Sequence, residues 1–93
     1  MIVHDLVDTK QLFIGETKPD YLVVYEKVID RDARIDGRKY QEIEAGTKEV
    51  VQIFHGEKEH SLRKIDSYDI GNDYPSLEAV LTKVKETHQE IFQ

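Results

Sequence analysis

The chain has no cysteine. Disulfides, thiolate nucleophiles and thiolate metal sites are therefore excluded. Tryptophan is also absent, so aromatic weight rests on five tyrosines and three phenylalanines. No apolar run approaches the roughly 20 residues that a membrane-spanning helix needs. The opening residues Met1-Ile2-Val3-His4-Asp5 form neither a basic n-region nor an apolar h-region, so no secretory signal is expected and the expected location is cytoplasmic. Recognisable catalytic sequences are missing as well: G-x-S-x-G, G-x-G-x-x-G, the P-loop and H-E-x-x-H do not occur. Neither an enzyme nor a cofactor is expected on this ground.

A basic half is another absence. Residues 1–46 carry seven basic and ten acidic side chains, residues 47–93 six and nine, and the whole chain carries a net charge of -6. Phosphate backbones and anionic lipid are repelled on average, so nucleic acid and membrane are not expected partners, whereas a basic protein would be attracted.

What is present suits one small domain. Ninety-three residues with 39% hydrophobic and 34% charged content can close a single modest core. Its centre is Tyr21–Ile29. At a spacing of two, Tyr21, Val23, Tyr25 and Ile29 fall on one side and Leu22, Val24 and Val28 on the other. A strand apolar on both sides is expected inside a sheet, paired on both edges and covered on both faces.

The segments around it read as its neighbours. Met1–Ile14 fits either a helix ended by Gly15 or two short strands about Thr9-Lys10, the second being preferred. Gly15–Asp20 is a loop. Asp36-Gly37 is the strongest hairpin signal, and a two-residue turn there sets Ile35 opposite Arg38 and Ala33 opposite Tyr40. The result is a long ribbon, Tyr21–Ile35 returning as Arg38–Glu44, with a charged end at Asp30–Lys39. Ala45-Gly46-Thr47-Lys48 reads as a second turn, Glu49–Phe54 as a strand, and His55–Lys58 as a third turn. Glu59–Ile65 reads as a polar edge strand and Asp66–Tyr74 as a loop.

The last element is a helix. Ser76 is the expected N-cap, Glu78 suits the first turn, and Leu77, Val80, Leu81, Val84, His88 and Ile91 form an apolar stripe, so the helix is expected from Ser76 to about Phe92. The predicted fold is α+β: an antiparallel sheet of four or five strands with this helix, about residues 76–92, on one face. That leaves the second face of Tyr21–Ile29 needing a cover. The N-terminal segment is one candidate, and a second subunit, making a homodimer, is the other.

Four groups of residues are candidate sites. His55 and His60 flank a turn carrying Glu57 and Glu59, and imidazoles with carboxylates can hold a divalent metal, although His-x4-His is not an established zinc spacing. Asp32, Asp36 and Gly37 partly follow a calcium loop, but Arg34 and Ile43 occupy ligand positions and exclude it. Arg31, Arg34, Arg38 and Lys39 could meet a phosphate, yet three aspartates offset them. Tyr21, Tyr25 and Tyr40 could serve an interface, and the bland alternative is core and edge packing. The expectation that joins these observations is a non-enzymatic interaction protein of adaptor, inhibitor or immunity type. The alternatives are a metal- or ligand-binding module or small enzyme centred on His55 and His60, or nucleic-acid binding through Arg31–Lys39.

Overall fold

Four strands lie side by side in chain order, each antiparallel to the next: β1, Ile2–Leu12; β2, Tyr21–Asp36; β3, Lys39–His55; and β4, Arg63–Ile70. A helix, α1, Leu77–Thr87, and a 3-10 turn, Gln89–Ile91, follow β4. The computed structural model describes the backbone of residues 2–36, 39–57 and 61–93; the side chains of residues 2, 4, 32–36 and 39–45 lie outside the description. Among the described residues no helix is long and apolar enough to cross a membrane.

The α+β sheet-and-helix expectation holds, and β2 is an interior strand with β1 on one edge and β3 on the other. Val23, Tyr25, Val51, Ile53 and Tyr68 point to one face and form the core with Val80, Val84 and Ile91. Leu22, Val24, Val28, Val50 and Phe54 point to the other, as the alternation of side chains along a strand requires. The helix covers the first face only.

Several boundaries differ from expectation, each for a physical reason. The N-terminal segment is one continuous strand interrupted by a bulge at Val7, between Leu6 and Asp8, instead of two strands about a turn. As an edge strand it covers neither face of the sheet. Ala45–Lys48 is not a turn. β3 runs through it, and a bulge at Ala45 absorbs the irregularity, with Asp30 opposite Gly46 and Arg31 opposite Glu44. Sixteen of the seventeen β3 residues pair with β2, which outweighs the local turn preference of Gly46 and Thr47.

The hairpin register also shifts. Ile35 lies opposite Tyr40, Ala33 opposite Glu42 and Asp36 opposite Lys39, while Gly37 and Arg38 lie outside the described residues. The last strand begins at Arg63, leaving out Ser61 and Leu62, while Glu59 and His60 lie outside the described residues; Asp66–Ile70 is strand where a loop was expected. An edge strand can carry Ser67 and Asp69 outward to solvent, so turn-forming composition misleads there.

Ser76 caps α1 as expected. Its Oγ accepts from the Ala79 amide at 3.2 Å. The helix stops at Thr87 and does not reach Phe92, because the His88 amide closes on the Val84 carbonyl and the backbone turns at His88 (φ -118°, ψ 53°). That turn carries Ile91 into the core and places Phe92 edge-on to Phe13, 5.0 Å between ring centres.

Candidate functional site

Three features carry chemistry: the uncovered sheet face, a cleft at the loop end of the sheet, and a histidine held between two carboxylates.

The uncovered face is a stripe along β2 and β3. Leu22 pairs with Phe54, and Val24 with Gln52, while Val50 lies between Glu26 and Asp69. Val50 is only 8% exposed, although it stands outside the core that α1 covers. Leu6, 59% exposed, extends the stripe onto β1 opposite Val28. Leu22, Val24 and Val28 of β2 and Val50 and Phe54 of β3 form this surface, interrupted by Glu26, Gln52 and Lys48, and α1 packs on the opposite face.

The cleft lies between the β1–β2 loop and the start of the β3–β4 connection. Its volume is about 510 Å³, and its walls include Gln11, Lys18, Tyr21, Leu22, Glu57 and Leu62. The C-terminal residues hold the loop in place. The Lys18 amide donates to the Ile91 carbonyl at 2.8 Å, the Gln93 amide to Glu16 at 3.0 Å, and the Gln93 side chain to the Thr17 carbonyl at 2.8 Å. On the other side, the Gly56 amide donates to the Asp20 carbonyl at 3.0 Å. His55 Nε2–H donates to the Asp20 carboxylate at 3.1 Å, and the ring stacks on Tyr21, 4.5 Å between centres. This pair is partly exposed and adds little stability, but it fixes the imidazole and the tyrosine ring beside the cleft.

Gly56 has no room for a side chain. A Cβ there would sit 2.7 Å from the Ser61 carbonyl oxygen and 2.9 Å from the Leu62 Cα. Both obstacles are backbone, so Gly56→Ala should displace the β3–β4 connection and cost on the order of 1–3 kcal/mol, read as a lower midpoint in urea unfolding.

His88 completes the third feature. Its Nε2–H donates to Asp66 at 2.7 Å and its Nδ1–H to Glu90 at 3.2 Å. Carboxylates only accept, so the two bonds are made together when both ring nitrogens carry protons, as in the imidazolium form. Burial alone would lower the His88 pKa, but the bonds to Asp66 and Glu90 outweigh it and raise it above 6.5. Burial alone would raise the Asp66 carboxyl; the His88 ring, with help from the nearby Tyr68 hydroxyl and the Ser67 amide, holds it below 3.8. The buried Tyr68 hydroxyl meets no partner at hydrogen-bonding geometry, and we read it as an electrostatic neighbour of Asp66. Burial, then the charge of Asp66, pushes that phenol well above its ordinary value.

The pair therefore ties the end of α1 to β4 and stabilises the fold within a pH window. The His88 contribution is complete below 6.5 and is lost as pH rises through the elevated folded value. The Asp66 contribution is complete above 3.8 and is lost as pH falls through the depressed folded value. Melting temperature should accordingly be highest between these limits and decline on the alkaline side. His88→Gln should remove that alkaline decline and cost about 1 kcal/mol near the optimum.

The other anticipated residues are dispersed. Tyr25 is buried, and its hydroxyl donates to Glu49 at 2.9 Å; burial and that carboxylate raise its pKa to about 12. Tyr25 thus packs in the core and is not displayed. Tyr21 lines the cleft, whereas the Tyr40 side chain lies outside the description. Arg31 pairs with Asp5 at 3.3 Å, while the Arg34 side chain and Arg38 lie outside it. Glu57 reaches the cleft, but Glu59 and His60 fall outside the described residues, and His55 is oriented by Asp20. Among the described residues no three histidine or acidic side chains gather closely enough to hold a metal ion. The His88–Asp66 pair was missed, since a contact across 22 positions leaves no local trace.

Comparison with protein-family models, with curated proteins and with solved structures finds no match.

Proposed function

We propose that this is a protein-interaction domain of adaptor, inhibitor or immunity type, acting by binding and not by catalysis. The observation that carries the reading is the apolar stripe Leu22, Val24, Val28, Val50 and Phe54 on a sheet face that α1 does not cover. Contiguous apolar surface bordered by polar residues marks interaction sites.

The test compares partner recovery by the wild type, by Leu22→Lys/Val24→Lys, and by Lys83→Glu on the exposed side of α1. Binding lost only in the double variant, with its far-UV spectrum unchanged, supports the reading. Binding kept by the double variant refutes it.

A second reading, a small-ligand site, is favoured by the cleft beside Tyr21 and the His55–Asp20 pair. Gly56→Ala should then weaken binding of a screened ligand more than His88→Gln does. Equal effects would refute it.

A further inference from the structure

We propose that the occupant of the open sheet face is a second copy of this chain, packed face to face about a two-fold axis. The inference rests on reading that face as an interaction surface, and three observations choose the occupant.

The first is area. A compact monomer of this mass exposes about 5600 Å². This chain exposes 6700 Å². Its radius of gyration is 16.7 Å, where a compact chain of this length has about 12 Å. The chain as a whole thus carries a surplus of roughly 1100 Å², of the order of the ~800 Å² that each partner of a standard stable interface buries.

The second is the missing layer. β1 pairs with β2 as far as Asp32, and β2 with β3 as far as Asp36. The core beneath α1 reaches along β2 only to Tyr25. Beyond it, Val28 faces the open side with Leu6, and no described element lies over them. A bare ribbon of few strands is marginal in water, so this half of the sheet gains most from a second layer.

The third is charge. The described open face holds Glu26, Asp30 and Asp69 against Lys48 and Lys64, nearly balanced in a chain of net charge -6. A face built for a basic protein would carry the chain's acidity. A balanced apolar face can meet its own copy without like-charge repulsion, as a two-fold interface requires.

The test is light-scattering mass over a concentration series, on wild type, the double variant Glu26→Lys/Asp69→Lys and Lys48→Glu, with circular dichroism confirming that each variant is folded. The wild type should approach twice 10.9 kDa. The double variant leaves the described face strongly positive and Lys48→Glu leaves it strongly negative, so each should self-associate about tenfold more weakly. The two variants mixed in equal amounts carry opposite faces and should recover the dimer. A wild-type mass of 10.9 kDa throughout overturns the proposal. A dimer indifferent to both variants also overturns it, by placing the interface elsewhere. A monomeric wild type that still loses its partner through Leu22→Lys/Val24→Lys would overturn only the identity of the occupant, leaving the interaction reading intact.

Discussion

Ile53→Ala should destabilise the protein by about 3 kcal/mol, the largest loss expected from one core truncation. Ile53 is fully buried and lies between Val23 of β2 and Asp66 of β4, directly in the layer that Val80 and Val84 close. Removing three carbons there leaves a cavity that strands paired on both sides cannot close. A domain of this size has a total stability of about 5–10 kcal/mol, so the variant should be marginal at room temperature. The melting temperature should fall by more than about 12 °C. A drop of only a few degrees would show that the sheet relaxes into the space.

The second large effect is expected at Val84, the fully buried centre of the α1 stripe. Val84→Asp puts a carboxylate into the fully buried apolar core, at a cost of at least about 3 kcal/mol. The helix should leave the sheet and expose the inner face as well as the open one. Far-UV helical signal should drop, and a hydrophobic dye should bind. Lys83→Asp, on the exposed neighbouring position, should stay within about 0.5 kcal/mol of the wild type. Similar losses at both positions would mean that α1 does not dock through this stripe.

Both effects rest on patterns visible in the residue order. The two-sided strand Tyr21–Ile29, the ribbon, the Ser76 cap and the Leu77–Ile91 stripe all express local rules that the fold obeys. The departures occur where distant pairing overrides local preference. Gly46 and Thr47 favour a turn, but an existing ladder carries β3 past them with one bulge. Asp66 looks like a loop residue until His88, 22 positions away, bonds it on the inner face of β4. The cleft was only partly foreseeable. His55 and Glu57 stood out by type, but Asp20 and Tyr21 join them through the β2–β3 register, which local composition does not encode.

The central claim is that this sheet has one covered and one open face, and adjacent residues of β2 test it. Val23 is fully buried toward α1, whereas Val24 is half-buried on the open side. Threonine preserves shape and strand preference while adding a hydroxyl. In dilute protein, below the range of self-association, Val23→Thr should cost about 1–2 kcal/mol in urea unfolding and Val24→Thr less than about 0.5 kcal/mol. Equal costs at the two positions, or a larger one at Val24, would contradict the account.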